Sequence, residues 1–385
     1  MKQIIFFIII LLCYCSRKEE SKVNVIDLLT PVTDKLTNLS DIATVVDYIP
    51  LQTIDSSLLS RINTVKVRGN YLYISTFEEV FCYNKVGRYL FKLNKKGRGP
   101  EEYILMKDFD IDHKSTLLAV LSISQILLFR QTENGFIFQN RILLLGSPSK
   151  ISFTGNSSNI LLQYSNEDGT KPFAMEIINL NGKSLLTWPN YMKYTSKDGV
   201  VVKTIYENIS FSFDNNLYLK ELQNDTLFRL TKNNTLESFL VFNTNRNRVT
   251  PEARANGNYY SDHIYEYIRI SKIFGSERYI YYSYSFNKIN SNVIHDQISK
   301  KNYKVLDKEF LEDDISGGVN FEPKSCSEGL LFSWVDALTL KKHIEGEIFI
   351  NSIVKYPEKK EALKELADSL NETDNPVLIV VTPKK

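Results

Sequence analysis

Apolar and polar positions in this chain alternate in short runs and seldom recur at helical spacing. Tyr71-Leu72-Tyr73-Ile74, Val80-Phe81-Cys82-Tyr83 and Tyr89-Leu90-Phe91-Lys92-Leu93 are rich in β-branched and aromatic residues, and Asn84-Lys85-Val86-Gly87 reads as a turn between the second and third. A glycine-rich corner, Gly97-Arg98-Gly99-Pro100, closes the stretch. A sheet unit of this size cannot bury both faces alone, so it is expected to recur along the chain.

Degenerate copies follow. Phe109 to Leu145 carries strands around Leu117-Leu118-Ala119-Val120-Leu121, Gln125-Ile126-Leu127-Leu128-Phe129 and Phe136-Ile137-Phe138, with Glu133-Asn134-Gly135 as a hairpin turn. A third unit runs from Lys150 to about Trp188, a fourth from Ile209 to Phe242 and a fifth from Ile268 to Leu306, the last with the aromatic strand Tyr279-Ile280-Tyr281-Tyr282-Ser283-Tyr284. A sixth is partial, from Val319 through Leu330-Leu331-Phe332-Ser333-Trp334. Longer polar connections interrupt the rhythm at Tyr191 to Lys203 and Asn245 to Tyr267, the second with a short helix near Pro251.

Pro357 to Leu370 reads as a helix, because Leu363, Leu366 and Leu370 recur at three and four with Glu and Lys between. Asn375-Pro376 stops it, and Val377-Leu378-Ile379-Val380-Val381 is apolar on both faces, so it belongs between other strands. Its partner at the other end of the chain is Val45-Val46-Asp47-Tyr48-Ile49-Pro50-Leu51. The expected fold is therefore all-β: a six-bladed β-propeller over residues 31–385, closed by N- and C-terminal strands that leave no exposed edge, with a short C-terminal helix.

The chain resembles the six-bladed β-propeller lipoproteins of Gram-negative bacteria and, distantly, NHL-repeat propellers. The residues that carry the resemblance are Asp47 to Thr53, Gly97 to Tyr103, Asp108-Phe109-Asp110-Ile111, Asn224 to Arg229, Asp313-Asp314-Ile315 and the closing Asn375 to Val381. The resemblance implies fold and export. Its members share no agreed activity.

Export is also written into the first residues. Met1-Lys2-Gln3 and the apolar run Ile4 to Leu12 form a signal segment too short for an ordinary membrane span. Cys13-Tyr14-Cys15-Ser16 follows and resembles a lipoprotein cleavage site, with residues 1–15 the signal peptide region, cleavage before Cys15 and Cys15 as the lipid-bearing residue. Tyr14 departs from the small residue usual there, Cys13 is the alternative acceptor, and an ordinary signal peptide is the competing reading. Thioether-linked diacylglycerol plus an N-acyl chain supplies the two hydrophobic signals that stable attachment needs. Residues 16–30 are expected to be a flexible tether, and Lys18-Glu19-Glu20 resembles an outer-membrane surface tag, a plain linker being equally open.

Composition narrows the function classes. Lys plus Arg total 47 against 45 for Asp plus Glu, which gives no long-range attraction to nucleic acid. Tyr and Phe at 22 each suit sheets. The body holds only Cys82 and Cys326 and no CxxC pair; neighbouring blades would hold them, leaving a disulfide or, as the favoured reading, two separate buried thiols.

No catalytic motif stands out. Gly97-Arg98-Gly99-Pro100 lacks the GKS or GKT ending of a phosphate loop and reads as a blade-to-blade corner. Asp108-Phe109-Asp110-Ile111-Asp112 puts three carboxylates on one strand face, but His113-Lys114 stand where a calcium loop needs glycine. Glu312-Asp313-Asp314 before Gly317-Gly318 is a second acidic turn. The four histidines lack HxxxH or HExxH spacing, and GxSxG is absent. The sequence thus leans toward a noncatalytic module for a glycan, peptide or envelope-protein partner, with no metal or cofactor and with Arg98, Glu102 and Tyr103 as candidate rim residues. A propeller hydrolase or lyase acting on polysaccharide is the alternative, because its carboxylates would come from different blades and leave no linear motif.

Overall fold

The computed structural model describes residues 23–155, 158–204, 206–305 and 310–385. The leader and Cys15 lie outside the described residues. Six sheets of four or five strands follow one another around a ring, and five of them take their four main strands from consecutive sequence. The first blade is Thr64–Arg68, Tyr71–Ser75, Val80–Asn84 and Tyr89–Leu93, all antiparallel; the first strand of each blade lies innermost. The expected Asn84 to Gly87 turn is present. Gly87 sits at φ +80°, and a Cβ there would stand 2.1 Å from the Pro50 carbonyl oxygen of the sixth blade, so glycine is required both by backbone angle and by space.

The sixth blade joins the two ends of the chain. Its strands are Ser325–Ser327, Leu330–Val335, Val377–Pro383 and Ala43–Pro50. The closing pair is antiparallel, with Val377 opposite Pro50 and Val381 opposite Val46. Val377, Leu378 and Val381 are wholly buried, as a strand covered on both faces requires.

Part of the segment expected to be a flexible tether, residues 16–30, is strand, and its residues 16–22 lie outside the described residues. Asn24–Asp27 already pairs in parallel with the outer strand Leu236–Asn243 of the fourth blade, and Lys35–Leu36 pairs in parallel with Asn302–Val305 of the fifth. The chain therefore covers two outer edges before it closes the sixth blade. Backbone pairing of this kind leaves little trace in side chains; Val25 remains exposed.

Among the described residues, α-helices occur only in long connections. The expected C-terminal helix spans Pro357–Ser369, with Leu363 and Ala367 buried. Ala337–Glu345 and Glu347–Asn351 precede it in the excursion between the second and third strands of the sixth blade. Leu340, Ile344, Phe349 and Leu363 pack in one core with Val46, Val335 and Ile379, so the helices brace the closing blade. The Asn245 to Tyr267 connection forms Pro251–Ala255 and Gly257–Asp262, capped by the Thr250 hydroxyl and the Asn256 side chain.

Connections of two kinds share one face of the ring: those between second and third strands, and those that lead from one blade into the next inner strand. Hydrogen bonds tie them together. Tyr103 Oη donates to Glu78 O at 2.5 Å, Ser147 Oγ to Ile123 O at 2.8 Å, Thr244 Oγ1 to Asp225 Oδ1 at 2.8 Å, and Asn375 Nδ2 to Ser57 O at 2.8 Å. The long insertions seen among the described residues lie on this loop-bearing face.

Candidate functional site

The inner strands surround a central channel of about 300 Å³. Strand alternation decides what faces it. In the first blade Thr64, Lys66 and Arg68 line the channel while Val65 is buried at a blade junction; in the second, Asp108 and Asp110 line it while Phe109 and Ile111 are buried. Lys150 and Ser152 of the third blade, Asn208, Ser210 and Ser212 of the fourth, Ser271 of the fifth, and Ser325 and Ser327 of the sixth continue the polar wall. The Asp108-Phe109-Asp110 alternation is therefore the channel face of one inner strand.

Its carboxylates hold blades together. Asp108 Oδ2 accepts from Ile151 N at 3.0 Å, and Asp110 Oδ2 accepts from Phe153 N at 2.7 Å. Asp110 Oδ1 lies 2.8 Å from Lys66 Nζ and 3.9 Å from Arg68 Nη2. Burial pushes the Asp110 carboxyl up, but the Lys66 and Arg68 charges with the bonds from Lys66 and the Phe153 N–H outweigh it, and the group ends below the usual carboxylate range. Asp112 turns away into its own hairpin, accepting from Thr116 N and Leu117 N.

That shift fixes the sign of a pH effect. A depressed carboxylate contributes stability that is fully present above its unfolded value, about 3.9, and is lost as pH falls through the lower folded value. Asp110→Asn is expected to cost about 2–3 kcal/mol at pH 7, by loss of charge-assisted hydrogen bonds. The gap from the parent protein should begin to narrow below about pH 4. Urea titrations from pH 7 to pH 3 check this.

Arg68 crosses the channel. Its guanidinium lies 2.5 Å from Glu328 Oε1 of the sixth blade and 3.3 Å from Ser212 Oγ of the fourth, and its Nε donates to Ile111 O of the second at 3.4 Å. Four blades thus meet at one side chain that is 5 % exposed.

The rim residues suggested by sequence do not form one site. Tyr103 is wholly buried in the core between the first two blades, and burial pushes its hydroxyl up to about 12. Glu102 accepts from Gly99 N at 2.7 Å and fills the space beside Gly97, where a Cβ would meet its Oε2 at 1.9 Å. The corner is a folding device, as the phosphate-loop comparison had suggested. Arg98 alone is exposed, with no hydrogen bond or ion pair among the described residues.

The remaining chemical candidates are also structural. Asp313 accepts from Ser316 N, Gly318 N and Tyr48 Oη, and Asp314 from Ser40 N and Oγ, so the second acidic turn anchors the closing strand. His295 is buried between Asn24 and Asn302. Cys82 and Cys326 are free thiols that burial pushes up to about 12, far from the thiolate form. Among the described residues no three of His, Cys, Asp or Glu stand close enough to hold a metal ion, and no helix is long and apolar enough to cross a membrane.

What the sequence reading missed is the rest of the channel wall. The signal was the same period-two polar face at the start of each unit, as in Lys150-Ile151-Ser152 and Asn208-Ile209-Ser210, which gains meaning only when six such strands converge.

A known structure repeats the fold. A crystal structure of a Bacteroides fragilis NCTC 9343 protein described as exported aligns with TM-score 0.69 and 21% identity, covering 94% of this chain and all of that one. A member of the DUF4221 family from Bacteroides vulgatus ATCC 8482 aligns with TM-score 0.48 and 11% identity over 89% of this chain and 97% of its own. No curated protein matches the chain. Residues 23–382 match the domain of unknown function DUF4934, and that span of nearly the whole described chain places the protein in the DUF4934 family.

Proposed function

We propose that this protein is an exported, lipid-anchored binding or scaffold module of the cell envelope, held at the outer membrane, that recognises a glycan, peptide or protein partner on its loop-bearing face without transforming it. One observation carries the reading: the long insertions and much of the exposed apolar surface gather on that one face of the ring. Leu58, Phe77, Ile104, Leu105, Ile123 and Ile353 are exposed there. Among the described residues, Val86 and Ile298 are the exposed large apolar side chains on turns between third and fourth strands. Apolar groups clustered on one rim are the usual mark of an interaction surface. Arg98 stands on the same face as a free donor fork.

The hydrolase alternative needs a free acid and base, and the two channel carboxylates are committed to Lys66 and to backbone N–H groups. Export is supported by the leader and by the description of the Bacteroides fragilis protein. Cys15→Ala is expected to release the protein from the membrane fraction; retention would contradict the lipid anchor.

A thermal-shift screen against polysaccharide fragments and peptides tests the binding reading, since a ligand of the native state alone must raise the melting temperature. The expected result is a rise with one class and recovery of that ligand unchanged. Recovery of a shortened ligand would overturn the noncatalytic reading.

A further inference from the structure

The charges along the channel do not cancel. Lys66 and Arg68 are matched by Asp110 and Glu328, and Lys272 lies 2.8 Å from Glu322. Lys107, Lys150 and Lys324 also line the channel, and beside Asp110 the lining holds one further carboxylate, Asp108. Lys107 Nζ donates to Ser147 Oγ and Pro148 O, and Lys324 Nζ to Trp334 O at 2.9 Å, groups that carry no counter-charge. Lys150 has no hydrogen bond or ion pair among the described residues, although it is half-buried at the start of an inner strand. Burial lowers the lysines at 107 and 324 and outweighs the opposing pull of Glu167 and Asp108 on the first and of Glu322 and Asp336 on the second.

Hydroxyls and an amide stand beside this charge. Ser152 and Ser210 line the same cavity without hydrogen-bond partners among the described residues, and Asn208 directs its Nδ2 to Ser149 Oγ at 2.8 Å. The volume, about 300 Å³, lies at the lower end of the range typical of small-molecule sites, roughly 300–1,000 Å³. Low-dielectric walls focus the field of an unpaired lysine such as Lys150 into such a cleft.

We propose that the channel takes a small oxyanion carried on a hydroxyl-rich body, the chemistry of an acidic sugar or a sugar phosphate, with Lys150 facing the anion and Ser152 and Ser210 facing the hydroxyls. This rests on the binding reading above and names a ligand class for the channel at the centre of the ring.

The test is calorimetric titration of the full chain in detergent with glucuronate, glucose 6-phosphate and glucose at low salt, each sugar being recovered afterwards and checked by NMR. At least one acidic sugar should bind ten-fold or more tighter than glucose. Glucuronate alone would assign a carboxylate, glucose 6-phosphate alone a phosphate. Lys150→Gln should abolish the preference with an unchanged melting temperature, and Lys150→Arg should restore it. No binding by any of the three, equal binding by glucose, or an unaltered preference in Lys150→Gln would overturn the channel assignment and leave the face reading standing. A chemically altered sugar would instead overturn the noncatalytic reading, and the channel assignment with it.

Discussion

A chain ending at Pro376 is expected to lose cooperative unfolding. The deletion removes the strand Val377–Pro383, which lies between Leu330–Val335 and Ala43–Pro50 and is buried on both faces. Without it the sixth blade splits into two unpaired edges, and the N-terminal strand has no partner to hold the ring closed. The loss also reaches the loop-bearing face, because Asn375 just before the strand accepts from Leu59 N and donates to Gln52 O and Ser57 O. Circular dichroism melting of the truncated and parent chains reads the effect directly. Ile379→Asp in the full chain should act in the same direction, since it places an unpaired carboxylate at a position 1 % exposed. A sharp transition at the parent temperature would contradict this account of closure.

The second large effect concerns the ion pair between Arg254 and Glu207. Arg254 Nη1 lies 2.6 Å from Glu207 Oε1, with side-chain exposures of 1% and 4%. Arg254 Nη2 also donates to Val202 O and Glu167 O, and its guanidinium stands 5.9 Å from the Tyr194 ring and 5.5 Å from the Tyr260 ring. One side chain therefore fastens the helical insertion at Pro251–Ala255 to the connections entering the fourth blade. Burial raises the Glu207 carboxyl, and Arg254 opposes that rise. Arg254→Ala leaves the carboxyl buried without its counter-charge and is expected to cost about 3–5 kcal/mol in urea denaturation. Arg254→Met with Glu207→Leu removes both charges and should recover most of the loss.

These sites also indicate how far the sequence could be read. The closing strand was legible because five consecutive apolar residues, Val377 to Val381, leave no polar face for solvent, and the Leu363, Leu366 and Leu370 spacing marked the last helix. Ala337–Glu345 carried a similar signal in Ala337, Leu340 and Ile344, but over too few turns to stand out from the strands around it. The N-terminal strand Asn24–Asp27 was not legible, since it docks through backbone pairing and buries chiefly Ile26.

The candidate site was harder to read for a different reason. A channel wall is a sum over six blades, and five of them contribute two or three polar residues at alternate positions that in isolation describe any half-buried strand. Tyr103 shows the converse error: an aromatic beside glycines looks like a rim residue, yet its ring fills the junction and only its hydroxyl meets the loop above.

Hydrogen exchange of the full chain, with and without the ligand that raises its melting temperature, tests the central claim that recognition occurs on the loop-bearing face. Protection is predicted in the connections 51–63, 94–107, 164–172 and 190–204, which sit on that face. Protection confined to the turns at Gly69-Asn70, Asp214-Asn215 and Glu328-Gly329 would place the ligand on the opposite side and contradict the account.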